Sequence, residues 1–243
     1  MATAREVVPH LRPEHHHRDI QGGAARAAIF GVSDGLVSNV SLILGMAGAA
    51  STRPGIVRLA GLAGLIAGSV SMAAGEFISM RAQRELFERE LDMERREIRR
   101  RPLVEQVELA DIYAARGVEP ETAMKLAGEM MRDPELALET HAREELGIDP
   151  RSLGSPLRAA VSSFVTFSLG ALVPLLPWFF GRGTAATVAS LVLAALAAIG
   201  VGCLLARFTG RSRLFTASRQ LAFSMVPAAI TFGIGTAVGV GVT

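Results

Sequence analysis

The sequence predicts an all-α membrane protein: five transmembrane helices, with a helical module inserted between the second and the third. Three observations indicate this fold class. Half of the 243 residues are hydrophobic and only 20% are charged, with a mean hydropathy of +0.36, which is typical of membrane proteins. Long runs without Asp, Glu, Lys or Arg recur along the chain. Of the 23 acidic residues, 18 lie between Glu85 and Asp149, so one acidic segment interrupts an otherwise apolar chain.

Five segments are candidate membrane spans. Three runs without charged residues each exceed the about 20 residues that a helix needs to cross a bilayer core. These runs are residues 159–181, 183–206 and 220–243. The first two spans reach that length only if Asp34 lies within a helix over residues 24–50 and Glu76 within one over residues 56–80. Each span would then place a carboxyl inside or near the membrane, which is costly and usually functional.

The arginine distribution predicts the orientation of the spans. Arginines are concentrated before the first span, in the acidic segment and between the last two spans, whereas the opposite side carries only Arg53, Arg58 and Arg182. By the positive-inside rule, the N-terminus and the acidic segment are expected in the cytoplasm and the C-terminus outside. No signal-peptide pattern precedes the first span. The preference for Arg, with Lys125 as the only lysine, favours a multi-pass protein of a bacterial inner membrane.

The acidic segment is predicted to fold into a small cytoplasmic bundle of helices, called the module below (residues 81–150). Its first helix continues the second span to Pro102, and prolines or glycines then separate three shorter helices. These are predicted over residues 103–116, from Pro120 to Asp133 and from Pro134 to Leu146. The chain is thus divided into a cytoplasmic N-terminal arm, two spans, the module and three spans, at residues 1–23, 24–80, 81–150 and 151–243.

The first two spans each carry a stripe of small and polar residues. Residues at i, i+3, i+4 and i+7 share a helix face, which aligns Asp34 with Ser38 in the first span and Met72 with Glu76 in the second. The other members of the stripes are Gly31, Ser41, Gly45, Ser69 and Ser79. If the stripes face each other, a carboxylate, a thioether and hydroxyls line one polar track. Alternatively, the glycines and serines serve close helix packing, which does not explain a charge at Asp34.

The module contains three pairs of potential metal ligands at helical spacing: Glu94 with Glu97, Glu105 with Glu108, and His141 with Glu145. Carboxylates that converge repel one another unless they are protonated or bridged by a cation. Carboxylate together with imidazole suits iron, manganese or zinc. The alternative is an ordinary solvated face, since Glu-x-x-Glu spacing often arises by chance in charged helices and the neighbouring arginines offer ion pairs.

Other function classes find little support in the sequence. Cys203 is the only cysteine, which excludes an intramolecular disulfide and a cysteine-based zinc site. Aromatic residues are few and the arginine-rich stretch alternates with acids, so we expect no nucleic-acid partner. The sequence has no nucleophile elbow, phosphate loop or HExxH pattern. We therefore expect neither an enzyme nor a prosthetic group.

The first two spans contain the motifs Asp34-Gly-Leu-Val-Ser-Asn39 and Ser71-Met-Ala-Ala-Gly-Glu76, and a long charged helix follows the second. Nearly the whole chain resembles the vacuolar iron transporter family in its bacterial form. The resemblance lies in these motifs, in the order of spans and in the Leu146-Gly-Ile sequence that closes the module. The resemblance implies proton-coupled export of Fe²⁺ or related divalent ions from the cytoplasm. It also implies a homodimer in which the pathway lies between the two first spans.

The resemblance further implies which residues bind metal. It assigns a membrane site to Asp34 and Met72, and we expect Glu76 near the cytoplasmic entrance. In the module it points to the groups that helical spacing had already picked out: Glu94, Glu97, Glu105, Glu108, His141 and Glu145. His141 stands where the family has a methionine, so an imidazole replaces a soft ligand. Since imidazole also binds zinc, copper and nickel well, the ion stays open among Fe²⁺, Mn²⁺, Co²⁺, Ni²⁺ and Zn²⁺.

The sequence therefore predicts a homodimeric, proton-coupled exporter of Fe²⁺ or a related divalent ion. Its partners are metal ions, protons, membrane lipid and a second copy of the chain. In one alternative, the module binds or senses metal and the spans only tether it. In another, paired glutamates on antiparallel helices form a di-iron oxidase site. Such sites normally use two Glu-x-x-His pairs, whereas His141 is the only histidine of the module.

Overall fold

The computed structural model describes residues 23–50, 53–151 and 153–240, so all but the last residue of the predicted N-terminal arm lies outside the described residues. Within the described ranges the regular structure consists of nine α-helices. They are α1 (Ala24–Ala50), α2 (Pro54–Arg100), α3 (Pro102–Ala115), α4 (Pro120–Met130), α5 (Pro134–Glu144), α6 (Pro156–Leu175), α7 (Pro177–Phe180), α8 (Gly183–Thr209) and α9 (Arg213–Val240).

Five of these helices are long and apolar enough to cross a membrane: α1, α2, α6, α8 and α9. The prediction of five helices of spanning length is thereby confirmed. Large apolar side chains remain exposed on their outer surfaces, among them Leu59, Ile66, Leu196 and Phe223. A surface of this kind suits contact with lipid, because it is apolar and the main-chain groups inside each helix are hydrogen-bonded to one another.

The structure differs from the sequence prediction at two span boundaries. The charge-free run at residues 159–181 is not one helix, because α6 ends at Leu175 and the four-residue α7 begins at Pro177. Proline has no N–H to donate and therefore interrupts the helical hydrogen bonds. In the last span, α9 begins at Arg213, before the charge-free run. An arginine at a span end can extend its charged group to the membrane surface, so charge does not mark the helix start.

α1 is the central helix of the apolar bundle and contacts α2, α6, α8 and α9. Its buried Leu36, Val40 and Leu44 pack against small residues of α8 and α9. On another side α1 approaches α6 at the level of the backbone, since a Cβ added to Gly35 would clash with the carbonyl group of Phe167. This close approach fixes the rotation of α1 and so determines which side chains it presents toward α2.

α2 is a single helix of 47 residues, about 70 Å long at 1.5 Å per residue. Its C-terminal part packs with α3 and α5, and α4 packs against these two; α3, α4 and α5 are the three shorter helices predicted for the module. Each of the three begins with a proline in its first turn, where the missing N–H would have no helical partner. Two small apolar clusters join these helices: Leu91, Ile98, Ala137, Leu138 and Ala142, and Leu109, Ala110, Ala123 and Ala127.

Candidate metal sites

The module brings three of its six predicted ligands into one buried cluster. Glu94 of α2, Glu105 of α3 and His141 of α5 are 4%, 6% and 0% exposed, respectively. One ligand atom from each residue lies within 4.8 Å of the other two. The cluster therefore combines two carboxylates and an imidazole from three different helices. We call it the module cluster.

Each member of the module cluster lies on the buried face of its helix. Glu94 is flanked at helical spacing by Leu91 and Ile98, which are both buried. On α3 and α5 the other two members likewise share a buried face with Leu109 and Leu138, respectively. Apolar packing thus positions the three ionisable side chains, because the residues one turn before or after them hold the helices together.

Several atoms of the module cluster make no hydrogen bond of acceptable geometry with the described residues: Oε1 of Glu94 and both ring nitrogens of His141. His141 Nδ1 lies 3.2 Å from Glu94 Oε1 and 3.6 Å from Glu145 Oε2. A buried polar atom left unpaired costs about 1–3 kcal/mol. A divalent ion ligated by these atoms would offset that cost, and carboxylate with imidazole suits Fe²⁺, Mn²⁺ or Zn²⁺. The side chains of the module cluster therefore fit a metal ion.

Burial and mutual repulsion raise the pKa of two carboxyls in the module cluster. The pKa of Glu94 is raised to about 7, first because burial disfavours its charged form and then because other glutamates add negative charge. These glutamates, in order of effect, are Glu145, Glu105, Glu97 and Glu108. Burial is also the main reason that the pKa of Glu105 is raised, with Arg101 acting in the opposite direction. Protons and metal ions therefore compete for the same oxygens.

The three remaining predicted ligands of the module border the cluster without joining it. Glu97 and Glu108 are exposed, one helical turn beyond Glu94 and Glu105. The side chain of Glu145 is about one-third exposed, with one oxygen near the imidazole. These carboxylates extend a negatively charged surface from the buried cluster to the solvent. Such a surface attracts cations to the site.

A second candidate site lies among the spanning helices, where α1, α2 and α6 line an open cavity of about 320 Å³. We call it the membrane cavity. Its lining includes both predicted membrane ligands, Asp34 and Met72. Asp34 takes part in no ion pair among the described residues. The remaining lining residues are Phe30, Ser38, Asn39, Leu42, Gly64, Gly68, Ser71 and Phe167.

Only part of the two predicted polar stripes faces the membrane cavity. Ser38 lines it and donates a hydrogen bond to the main-chain carbonyl of Asp34 at 2.6 Å. Ser69 instead is buried against α6 and shares a 2.8 Å hydrogen bond with Ser168. Gly31 likewise approaches Ser163 of α6. For these residues the alternative of close helix packing is the correct one, since they join α1 and α2 to α6.

The structure places Glu76 away from the other predicted membrane ligands. Its Oε1 lies 2.9 Å from Nη2 of Arg26, and the side chain is mostly buried. This ion pair joins the first turn of α1 to α2. Glu76 does not line the membrane cavity, so a role in binding metal would require it to part from Arg26.

Asn39 is a lining residue to which the sequence analysis gave no role, although it closes the first motif. It is 2% exposed, and its side-chain nitrogen donates a 2.6 Å hydrogen bond to the carbonyl oxygen of Ala171. One signal was available in the sequence. Asn39 lies at helical spacing between the apolar residues Leu36 and Ile43, and a polar residue on an apolar face needs a partner.

The family model described as "VIT family" matches residues 25–236. A protein of Acanthamoeba castellanii named "Vacuolar iron transporter" is 35% identical over 236 residues, covering 94% of this chain and 84% of that protein. "Vacuolar iron transporter 2" of Oryza sativa subsp. japonica is 32% identical over 230 residues, covering 94% and 93%. "Vacuolar iron transporter 1" of Arabidopsis thaliana is 30% identical over 221 residues, covering 89% and 88%.

Proposed function

Because this chain belongs to the VIT family, we propose that it transports divalent metal ions across a membrane, with Fe²⁺ as the first candidate. The five apolar helices and the family membership identify an integral membrane protein. One observation carries the proposal: Asp34 and Met72 line the same cavity between helices of spanning length. A carboxylate among such helices is costly and is therefore usually functional.

The ligands of the membrane cavity suit an ion such as Fe²⁺. The carboxylate of Asp34 is a hard donor, whereas the thioether of Met72 is a soft one. A borderline divalent ion accepts both kinds of donor, while Mg²⁺ and Ca²⁺ prefer oxygen alone. The names of the relatives, all vacuolar iron transporters, support the same ion.

The module supplies the ion in this proposal. Its exposed glutamates attract cations, and the module cluster of Glu94, Glu105 and His141 holds one at buried atoms that otherwise lack partners. Because imidazole accepts several first-row metals, we propose that the module also binds Mn²⁺, Co²⁺, Ni²⁺ and Zn²⁺. No prosthetic group takes part in this mechanism.

Transport is proposed to be export from the cytoplasm in exchange for protons. The arginine distribution supports a cytoplasmic N-terminus and module with the C-terminus outside. A carboxylate such as Asp34 does not bind a proton and a metal ion at the same time, so protonation from the outer side would release the ion. The membrane cavity opens at the surface of one protomer, where Phe30 and Leu42 are exposed. A homodimer that pairs the two α1 helices would close it.

Flux measurements in liposomes test the proposal. The purified protein is reconstituted into vesicles with an acidic lumen, and entry of Fe²⁺, Mn²⁺, Co²⁺, Ni²⁺ and Zn²⁺ is followed while the internal pH is recorded. We expect Fe²⁺ to enter the lumen and the internal pH to rise with it. Entry of an ion without a change in internal pH would contradict proton coupling but not transport. Metal binding without entry of any of the five ions would contradict transport and support a membrane-tethered metal-binding or sensing protein.

A further inference from the structure

Asn39 lies on α1 five residues beyond Asp34, which is about 7.5 Å farther along the helix axis at 1.5 Å per residue. We infer that its side-chain oxygen, Oδ1, is a further metal ligand in the membrane cavity, reached after Asp34. The inference rests on the proposed transport function and adds a residue to its pathway. It also specifies the kind of ion that this residue favours.

A hydrogen bond to α6 fixes the orientation of the Asn39 amide. Its nitrogen, Nδ2, lies 2.6 Å from the main-chain carbonyl oxygen of Ala171. A carbonyl oxygen only accepts hydrogen bonds, so the NH₂ end of the amide must face Ala171 and the oxygen must face away from it. The chemistry of the contact therefore determines which end of the side chain is the oxygen.

Oδ1 of Asn39 is buried and has no hydrogen-bond partner among the described residues. It faces α2 at Gly64, because a Cβ added to Gly64 would lie 2.9 Å from it. Asn39 and Gly64 both line the membrane cavity. A Cβ at position 64 would also lie 2.5 Å from Leu42 Cδ2, so the Leu42 side chain shares the space in front of Oδ1 and must shift for an ion to reach it. The oxygen thus faces α2 at the edge of the membrane cavity, next to Gly64 and Leu42.

A neutral oxygen at this position suits the passage of a cation. Burying an amide oxygen without a partner is unfavourable, and a partly dehydrated cation would supply the missing interaction. Since the amide carries no net charge, it coordinates a cation more weakly than a carboxylate does, so the ion can leave again. Amide oxygen is also a hard donor, which favours Mn²⁺ and Fe²⁺ over softer ions. Asn39 would then balance the soft thioether of Met72.

The alternative is that Asn39 only joins α1 to α6 through Ala171. Two variants separate the possibilities. Asn39→Ala removes both the proposed ligand and the hydrogen bond to Ala171. Gly64→Ala places a methyl group 2.9 Å from Oδ1 and 2.5 Å from Leu42 Cδ2, whose flexible end can shift, and leaves the hydrogen bond to Ala171 in place. Gly200→Ala is the matched control, because Gly200 lies within the spanning helix α8 and a Cβ there meets nothing within 4 Å.

The test measures initial rates of Mn²⁺ and Zn²⁺ entry into proteoliposomes, together with the melting temperature of each protein. We expect both Asn39→Ala and Gly64→Ala to lower Mn²⁺ entry by about tenfold and Zn²⁺ entry by less, so that the ratio of the two rates falls. Gly200→Ala should keep the wild-type ratio. If Asn39 only joins α1 to α6, Asn39→Ala would lower both rates equally and leave their ratio unchanged. That result would overturn the inference.

Two other outcomes separate a folding failure, or a failure of the proposed function, from the role of Asn39. If Asn39→Ala does not fold, as judged by a lost melting transition, the ratio measured for Gly64→Ala decides alone, and a wild-type ratio there contradicts the inference. Absence of entry in the wild-type protein would instead contradict the proposed function itself. Normal wild-type entry with an unchanged ratio in the variants would contradict only the role of Asn39.

Discussion

The module cluster and the membrane cavity would hold the same ion in different ways. In the module, Glu94, Glu105 and His141 are almost fully buried and come from three helices. Burial, and then repulsion from neighbouring glutamates, raise the pKa of Glu94 to about 7. In the membrane cavity one carboxylate, Asp34, is combined with neutral donors. Several buried charges favour retention of a cation, whereas one charge with neutral donors favours passage. We therefore assign retention to the module and passage to the cavity.

The largest effect that separates the two sites is expected from the double variant Glu94→Gln, Glu105→Gln. Loss of two buried carboxylate ligands should weaken metal binding by the module at least about 100-fold, because losing only a group that supports a metal ligand already costs about 10–100-fold. Flux at saturating metal should fall much less, because the membrane cavity is unchanged. Calorimetric titration with Mn²⁺ and liposome flux measure the two quantities.

Glu129→Gln is the control for this double variant, since Glu129 lies on the surface in an ion pair with Arg132. It should bind Mn²⁺ as the wild-type protein does. If the double variant also retains wild-type affinity, the module cluster is not the retention site and the contrast between the two regions fails.

A smaller effect is expected from His141→Met, which changes one donor atom while keeping a side chain that fits a buried position. Thioether replaces imidazole, so affinity of the module for Zn²⁺ and Ni²⁺ should fall by about tenfold, whereas affinity for Mn²⁺, which depends on the carboxylates, should change less. Competition titrations of the three ions against a fluorescent chelator measure this shift. Equal losses for all three ions would show that His141 acts through packing alone.

The smallest effect concerns stability without metal. The raised pKa of Glu94 means that the folded protein binds its proton more tightly than the unfolded chain does. The contribution of Glu94 to stability is therefore fully present below its ordinary pKa of 4.5 and is lost as pH rises through about 7. Glu94→Gln should then raise the melting temperature in chelator more at pH 8 than at pH 5.

The expected size is roughly 2–4 °C for each kcal/mol of relieved repulsion. With added Mn²⁺ the wild-type protein should melt higher than Glu94→Gln, because only the wild-type module keeps both carboxylates as ligands. Differential scanning measurements with chelator and with Mn²⁺ test both signs. A variant that melts lower than the wild type in chelator at pH 8 would contradict the unfavourable burial of a charged Glu94 and its repulsion by neighbouring glutamates.

The sequence predicted the helices well where composition and helix-breaking residues determine them. Three charge-free runs, together with two shorter ones extended across Asp34 and Glu76, identified five helices of spanning length. The prolines at positions 102, 120 and 134 identified the starts of α3, α4 and α5. It did not predict the break between α6 and α7, because hydropathy does not register the missing N–H of Pro177. Helix boundaries were therefore predictable only where a charge-free run or a helix-breaking residue was used to locate them.

The sites were predictable only in part, because side-chain convergence depends on how helices pack. Helical spacing proposed six ligands in the module, but nothing in spacing alone separates buried Glu94 from exposed Glu97 one turn away. The separating signal is the apolar face on which Glu94 lies, between Leu91 and Ile98. In the same way, Asn39 could be noticed in the sequence, while the direction of its oxygen follows only from the contact with Ala171.

The central claim is that Asp34 carries the ion through the membrane. The most direct test is Fe²⁺ entry into proteoliposomes with an acidic lumen, measured for the wild-type protein, for Asp34→Asn and for the control Asp92→Asn, an exposed carboxylate that is ion-paired with Arg95. We expect Asp34→Asn to abolish entry while Fe²⁺ binding by the module persists, and Asp92→Asn to transport normally. Entry through Asp34→Asn at the wild-type rate would contradict the account.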